Sequence, residues 1–276
     1  MNARSAMNNR SVPSERSELG RAALASVLGV MLLIGAGTRA TAAVYPGSPV
    51  AAWAAPSVHA FAQRAAARPR GIAPDGRVWF VPMARKEIAL TFDDGPYPFY
   101  TPLLLHQLEI EDTPATFFLV GRTVQEYPQL AERIVASGDE IGNHTFNHYT
   151  LTGLSDAQIY QQIAGCGTLL KHFTGRRVSL FRPPHGRYDT RVVDIARQLG
   201  YRTILWSDAP DDAQDNNSEV PVSLIVARVV AHAKPGGIIL LHNGQYNTIL
   251  ALPDIIERLR AQGYEFVTVS RLLAGR

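Results

Sequence analysis

The chain has almost none of the residues that build disulfide frameworks or cysteine-rich metal centres. Cys166 is the single cysteine among 276 residues. An intramolecular disulfide needs two cysteines, and zinc sites of the multi-cysteine type need at least two, so both are excluded. A lone cysteine in an ordinary domain behaves as a small apolar side chain, and we expect Cys166 to be buried.

An excess of one charge sign is also lacking once the N-terminal segment is set apart. The whole chain has 27 Lys and Arg against 24 Asp and Glu. Five of the basic and two of the acidic residues fall within residues 1–43, so the remainder carries equal numbers of each sign. Binding to nucleic acid depends on a surplus of cationic side chains facing the phosphates. We therefore expect no nucleic-acid partner.

The chain has no apolar run of the length that a membrane-spanning helix requires. Its longest one, Ala22–Gly37, is about 16 residues long, whereas a span needs about 20. Arginines precede this run and small residues follow it, as in an export signal. We predict a signal peptide or uncleaved membrane anchor over 1–43, an Ala/Pro-rich linker over 44–80 and one catalytic domain over 81–276. Membrane contact would come only from the uncleaved N-terminal segment.

Short β-branched runs alternate with helical patterns from about residue 86 onward. This alternation is typical of parallel βαβ units with helices outside the sheet, and seven strand candidates favour a barrel over an open sheet. The predicted strands are Ile88–Phe92, Ala115–Val120, Glu140–His144, Ser179–Arg182, Thr203–Trp206, Gly237–His242 and Glu265–Val269. The predicted helices are Pro102–Glu109, Val124–Ser137, Asp156–Phe173, Thr190–Leu199, Val222–Ala233 and Leu252–Gln262. Catalytic groups of such barrels collect at the C-terminal strand ends, and five of these strands end in polar residues.

Two adjacent aspartates, Asp93 and Asp94, end the first predicted strand. Adjacent strand residues point to opposite faces, but the Gly95-Pro96 turn relaxes that restriction, so both carboxylates can reach one site. His144 and His148 are four residues apart and would share a face on a helical turn. Zinc takes two imidazoles and a carboxylate while leaving a position for water, although two unrelated surface histidines are the alternative.

The remaining polar strand ends suit acid–base chemistry. If one aspartate is a metal ligand, the other is free as a general base. His242 follows an apolar run and is placed to protonate a leaving amine, with a hydrogen-bonded core histidine as the alternative. Arg182 could orient the base carboxylate with its bidentate fork, with a surface arginine as the alternative.

These segments resemble a known family in order and spacing. Thr91–Pro96, His144–His148, Arg182–Gly186 and Leu240–His242, with Ile141-Gly142-Asn143 before the first histidine, are similar to the motifs of polysaccharide deacetylases of the NodB-homology type, carbohydrate esterase family 4. The resemblance covers roughly residues 86–270, and four motifs in register make it specific. It implies a distorted (β/α)7 barrel with a single catalytic domain.

The resemblance also implies a division of roles. A divalent metal, usually zinc, would be held by Asp94, His144 and His148. Two histidines and one aspartate also accept cobalt or nickel. Asp93 would be the base, and His242 the acid that protonates the departing nitrogen.

The residues around this set would orient it and bind the acetyl group. Arg182 would position Asp93, and the backbone N–H of His185 would stabilise the oxyanion together with the metal. Leu240 would be a wall of the acetyl pocket.

Two departures from the family pattern stand out. His185 occupies a position where the family usually has tyrosine, and its imidazole can ionise near neutral pH. The fourth motif, normally Asp-Trp, is displaced: aligned from Trp206, Asp212 falls on the acid and alanine on the tryptophan. Trp206 itself would replace the missing aromatic wall, or the wall is lost. Asp208 and Asp211 are alternative partners for His242.

The sequence thus predicts a metal-dependent hydrolase that removes N-acetyl groups from an N-acetylglucosamine-containing glycan. The substrate would be peptidoglycan, a chitin-like polymer or an exopolysaccharide. The protein would act in the periplasm, in the cell envelope or as a secreted protein. An O-acetyl esterase or non-sugar amidase of the same fold is one alternative. An inactive glycan-binding envelope protein is the other.

Overall fold

The computed structural model describes residues 71–213 and 219–275. The predicted signal or anchor segment and most of the predicted linker lie outside the described residues, so these domain boundaries stay predictions. The strands are β1 Glu87–Asp93, β2 Ala115–Leu119, β3 Glu140–Asn143, β4 Leu180–Phe181, β5 Arg202–Thr203, β6 Gly237–His242 and β7 Glu265–Phe266. The α-helices are α1 Tyr100–Ile110, α2 Gly121–Glu126, α3 Pro128–Ala136, α4 Asp156–Thr174, α5 Thr190–Gln198, α6 Val222–His232, α7 Tyr246–Ala261 and α8 Val269–Ala274.

All strand pairs are parallel, in the order β5-β4-β3-β2-β1-β6, and β7 pairs with the start of β1. Irregular chain closes the gap between β5 and β6. Val78 donates to the carbonyl of Thr203 and accepts from the N–H of Leu205, and Leu240 of β6 donates to the carbonyl of Asp208. The predicted distorted (β/α)7 barrel with a single catalytic domain is therefore confirmed.

Successive strand residues bury their side chains on opposite faces of the sheet, as the period of two requires. Phe117 and Phe118 show this directly, since both are fully buried but belong to different apolar clusters. Phe117 packs in the layer between sheet and helices, and Phe118 packs in the barrel interior with Leu180 and Ile238. Each such side chain contributes about 1.5–3 kcal/mol on burial, so both layers stabilise the barrel.

The structure differs from the predicted elements mainly at prolines. The predicted helix Val124–Ser137 is two helices, because Pro128 has no N–H to continue α2 and instead occupies the first position of α3. The helix predicted from Leu252 begins at Tyr246, with Pro253 inside it. The strand predicted over Glu265–Val269 ends at Phe266 instead. Helix α8, which begins at Val269, was not predicted.

Strands β4 and β5 are also shorter than predicted, since each has only two residues. Cys166 is buried and unpaired, as predicted. Within the described residues, no helix combines the length and apolar character needed to cross a membrane.

Candidate active site

The C-terminal end of β1 carries both aspartates into one site. Asp93 is the last strand residue and lies between Phe118 of β2 and His242 of β6 in the register. Asp94 adopts a left-handed conformation with φ 71°. The chain therefore leaves the strand geometry at this residue, and the two neighbouring carboxylates reach the same side of the barrel mouth.

Asp94, His144 and His148 form the cluster expected from the sequence. One ligand atom from each lies within 4.8 Å of the others. Nε2 of His148 is 3.2 Å from Oδ1 of Asp94, and Nε2 of His144 is 3.8 Å from the same oxygen. The two histidines are brought together by a loop rather than by a helical turn, with His148 itself at φ 60°.

Contacts behind His144 fix the form of its ring. Nδ1 lies 2.8 Å from the carbonyl oxygen of Arg182, so Nδ1–H donates and the Nε2 lone pair faces Asp94. Burial lowers the pKa of His144 well below its usual value, which keeps the imidazole neutral. Two imidazole nitrogens and one carboxylate are a donor set that fits zinc.

Asp93 is held by Arg182 deep in the barrel interior. Nη1 of Arg182 donates to Oδ1 of Asp93 at 2.6 Å and to Oγ1 of Thr91 at 2.8 Å. The other nitrogens donate to main-chain carbonyls at 3.3 and 3.2 Å. The contact with Asp93 is therefore single, not the bidentate fork expected from the sequence. Burial raises the pKa of Asp93, although Arg182 opposes the shift.

The guanidinium plane of Arg182 is enclosed by aromatic rings. Its Cζ lies 4.1 Å from the ring centroid of Phe118 and 5.7 Å from that of Trp206. A Cβ on Gly142 would approach Cδ1 of Phe118 to 2.5 Å, so the glycine makes room for this ring. Phe118 and Thr91 are contacts of Arg182 that sequence reasoning did not single out.

On the other side of Asp93, His242 is paired with Asp212. Nδ1 of His242 is 2.8 Å from Oδ1 of Asp212, and the backbone N–H of His242 donates to Oδ2 at 2.8 Å. Thr248 donates to the same Oδ2 at 2.7 Å. Thr248 lies in the first turn of α7, which sequence reasoning missed because it predicted the helix to start later.

The alternative partners of His242 face other groups. Oδ1 of Asp208 lies 3.6 Å from His232, and Oδ2 of Asp211 lies 3.7 Å from Arg228. Asp208 is buried, and its Oδ2 has no hydrogen-bond partner in the described part of the chain. Of the three aspartates, Asp212 is the one in contact with His242.

The Asp212–His242 pair shifts both pKa values. Burial favours a neutral Asp212, but the charge of His242 and three hydrogen bonds outweigh it and lower the pKa of this carboxyl. Burial alone would lower the pKa of His242, but Asp212, with Asp94 and Asp93, raises it to about 9. The imidazolium form of His242 is thus favoured at neutral pH.

The residues expected to contact the substrate lie on three different segments of the chain. His185 is exposed on the short 3-10 turn Pro184–Gly186, and its ring centroid lies 4.7 Å from that of His148. Leu240 is buried on β6. Trp206 packs on Gly186, where a Cβ would approach its ring to 2.5 Å. An aromatic ring therefore lies beside the His185 turn, although alanine occupies the position aligned with the family tryptophan.

Left-handed backbone is concentrated at this end of the barrel. Six described residues other than glycine have positive φ, and only Asp112 lies away from the site loops. The other five are Asp94, Thr145, His148, His185 and Asp211. Strained backbone of this kind clusters at functional sites because the surroundings must hold it in place.

Comparisons with known proteins agree with this geometry. The polysaccharide deacetylase family model matches residues 81–204. A peptidoglycan-N-acetylglucosamine deacetylase of Bacillus cereus is 42% identical over 204 residues, which cover 72% of this chain and 94% of that protein. The peptidoglycan-N-acetylmuramic acid deacetylase PdaC of Bacillus subtilis is 38% identical over 188 residues, covering 68% of this chain and 39% of the relative.

Among solved structures, a carbohydrate esterase family 4 pseudoenzyme from Bacillus anthracis superposes with a TM-score of 0.68 at 30% identity, covering 73% of this chain and 70% of the other. The resemblance inferred from the four motifs is therefore confirmed. With its barrel, its Asp/His cluster and a relative matched over nearly its full length, the chain belongs to the polysaccharide deacetylase family.

Proposed function

We propose that this protein is a metal-dependent N-deacetylase that acts outside the cytoplasm on a glycan containing N-acetylglucosamine. One observation carries the proposal. A base candidate, Asp93, and an acid candidate, His242, are register partners on β1 and β6, beside the Asp94–His144–His148 cluster. An amide hydrolase needs these three functions within reach of one carbonyl group.

The cluster would hold the metal, with zinc fitting its donor set and cobalt or nickel also compatible. When bound there, a divalent ion would supply Lewis-acid polarisation of the acetyl carbonyl and would make water more acidic. The family to which the chain belongs is metal-dependent, and the neutral ring of His144 supports its assignment as a ligand.

Asp93 is suited to take the proton of the attacking water. Its Oδ1 is occupied by Arg182, and its Oδ2 faces the cluster, 3.6 Å from Nε2 of His144. Burial raises the pKa of Asp93 and so strengthens it as a base, while Arg182 keeps it ionised and fixed in direction.

His242 is suited to donate a proton to the leaving nitrogen. Asp212 holds Nδ1–H and stabilises the imidazolium, which leaves Nε2–H free for the substrate side. In the balanced reaction, amide and water become acetate and amine. One proton passes to Asp93 and another passes from His242 to the nitrogen.

The residues around the acetyl group would complete the site. We assign to the backbone N–H of His185 a hydrogen bond to the developing oxyanion, as a donor held in place before the charge appears. Leu240 and Trp206 would contact the acetyl methyl group. The location of the substrate outside the cytoplasm follows from the predicted export signal. The two relatives are named as peptidoglycan deacetylases, which supports a glycan of the cell envelope.

The direct test is acetate release from a panel of N-acetylglucosamine oligomers, peptidoglycan and acetylated xylan. We expect release from the N-acetylated glycans, loss of activity on chelation and recovery with zinc, cobalt or nickel. Release from xylan alone would favour the O-acetyl esterase. No release from any substrate by the metal-loaded protein would favour the inactive glycan-binding alternative, which the pseudoenzyme among the structural neighbours makes a necessary control.

A further inference from the structure

The loop that carries the two histidines of the metal cluster has an unfavourable backbone conformation. Thr145 and His148 have φ angles of 67° and 60°, in the left-handed region that residues with a Cβ rarely occupy. Each residue held there costs about 1–2 kcal/mol, so other contacts must keep the loop in shape. The direction of the His148 ring therefore depends on what holds the loop.

Every backbone N–H of this loop, from residue 144 to residue 148, has a hydrogen-bond acceptor. Three of the acceptors lie at strand ends or on the loop itself, and these are the carbonyl oxygen of Leu119, Oδ1 of Asn143 and Oγ1 of Thr145. The other two acceptors belong to one residue of α4, Gln162. A single helix residue thus accepts two of the five N–H groups of the loop.

Gln162 contacts the loop with both its main chain and its side chain. Its carbonyl oxygen accepts from the N–H of Phe146 at 2.9 Å, and its Oε1 accepts from the N–H of Asn147 at 2.8 Å. A carbonyl in the middle of a helix is already the acceptor for the N–H four residues later, so the loop adds a second donor to that oxygen. The side-chain contact is separate from the helix, and it holds the residue directly before His148.

The loop lies close to two helices because glycines leave room for the ring of Phe146. A Cβ on Gly121, the first residue of α2, would approach Cδ2 of this ring to 2.7 Å, and a Cβ on Gly165 of α4 would lie 3.7 Å from the same atom. The N–H of Gly121 also donates to the carbonyl of Thr145 at 2.9 Å. The loop is thus fixed to α2 and α4, and Gln162 provides the acceptors on α4.

We propose that Gln162 is a positioning residue for the metal site, because its Oε1 holds Asn147 and thereby directs the ring of His148 toward the other ligands. This proposal rests on the metal dependence in the proposed function. The ring of His144 has a restraint of its own, since Nδ1 donates to the carbonyl of Arg182. Within residues 71–213 and 219–275 the ring of His148 has no hydrogen bond of this kind, so its backbone decides where the ring points.

The test compares the zinc affinity of Gln162→Met and Gln162→Glu with that of the unaltered protein, by competition with a chelator of known affinity. Methionine has a similar length and helix propensity but is only a weak acceptor, whereas glutamate keeps an oxygen for the N–H of Asn147. We expect Gln162→Met to bind zinc about tenfold more weakly and Gln162→Glu to restore most of that affinity. Gln161→Met is the matched control, since Gln161 is the exposed neighbour on α4, and it should bind zinc as the unaltered protein does.

Absorption spectra of the cobalt-loaded proteins provide a readout that a loss of stability alone would not move. The d–d bands of Co²⁺ report the geometry of its ligands, so they should shift in Gln162→Met but not in Gln162→Glu or Gln161→Met. Amide hydrogen exchange in the unaltered protein tests the same contact without a substitution, and the N–H of Asn147 should exchange slowly. Rapid exchange at Asn147 would overturn the proposal even if Gln162→Met failed to fold.

These measurements do not require turnover, so weakened zinc binding in Gln162→Met supports the positioning role whether or not acetate is released. Unchanged zinc affinity and cobalt bands in Gln162→Met, or an equal loss in Gln161→Met, would overturn that role while leaving deacetylation intact. Failure of the unaltered protein to bind zinc or cobalt would contradict the metal site itself, and with it both proposals.

Discussion

Asp93 and Asp212 are two buried carboxylates on either side of His242, and they differ in how they are satisfied. Asp212 accepts three hydrogen bonds, two from His242 and one from Thr248, and the pKa of Asp212 is lowered. Asp93 accepts one described hydrogen bond, from Arg182, and the pKa of Asp93 is raised by burial. Burial alone therefore does not decide the pKa, because at Asp212 the charge of His242 and the hydrogen bonds outweigh it.

In the proposed mechanism, this difference separates an orienting carboxylate, Asp212, from a reactive one, Asp93. Both oxygens of Asp212 are engaged, so it can hold His242 and stabilise its charge but has no lone pair directed at a substrate. Asp93 keeps one oxygen toward the metal cluster, where a proton can be received. Two carboxylates of the same chemistry thus acquire different roles through their hydrogen-bond partners.

The largest effect is expected from Asp93→Asn. The amide cannot accept the proton, so kcat should fall by about 10³-fold or more, while metal content should equal that of the unaltered protein. Asp94→Asn is the matched change one residue away, and it should weaken metal affinity instead, because Asp94 is in the cluster. Metal analysis after dialysis and acetate assays measure both. Equal metal loss in the two variants would contradict the division of roles.

Removing the other carboxylate, by Asp212→Asn, should lower kcat by about 100-fold. It should also move the alkaline limb of the pH profile to lower pH. In the proposed mechanism the protonated ring of His242 is the active form. Asp212 is the main group that raises the pKa of His242 to about 9, and the protonated form is lost as pH rises through that value. Asp211→Asn is the control, since Asp211 faces Arg228. An unmoved alkaline limb in Asp212→Asn would show that another acid protonates the nitrogen.

The support of Asp93 can be disturbed without touching either residue of its ion pair. Gly142→Ala places a methyl group 2.5 Å from Phe118, whose ring lies against Arg182. We expect kcat to fall by about tenfold and stability by about 1–3 kcal/mol, as overpacking displaces Phe118 toward the guanidinium. Gly153→Ala is the control, because no atom lies within 4 Å of a Cβ there. Lower stability with unchanged kcat would exclude a positioning role for Phe118.

The smallest effect on catalysis is expected from Asp208→Asn. Burial raises the pKa of Asp208 from 3.8 to about 6, so the folded state holds the proton more tightly than the unfolded state. Stability of the unaltered protein should therefore fall as pH rises from about 4 to 6, and the variant should lack this step. Thermal unfolding at pH 4 and pH 8 measures it. Altered acetate release would instead connect Asp208 with catalysis.

The sequence was sufficient for the parts of the site that lie in short contiguous motifs. Asp93, Asp94, His144 and His148 follow strand ends, and in a parallel barrel strand ends meet at one rim. The barrel itself followed from the alternation of strand and helix patterns. The sequence does not separate Asp212 from Asp208 and Asp211 as the partner of His242, because all three stand on an irregular segment whose register cannot be read from the residues around it.

What the sequence could not give depends on side chains that are distant along the chain. Arg182 contacts Asp93 through Nη1 alone, because Nε and Nη2 donate to the carbonyls of Ile204 and Leu205, just beyond β5. Thr248 lies before Leu252, where the sequence predicts this helix to begin, so its contact with Asp212 was not anticipated. In both cases the determining contact joins residues whose proximity only the folded barrel creates.

The left-handed residues of the site loops have a consequence for engineering the protein. Each costs about 1–2 kcal/mol, so the five together approach the whole net stability of an ordinary domain. Selection for heat resistance alone should therefore accept glycine at His148 or His185 and lose activity as it gains stability. Asp211, with φ 52° and its carboxylate directed to Arg228, is the member at which the gain should come without that loss.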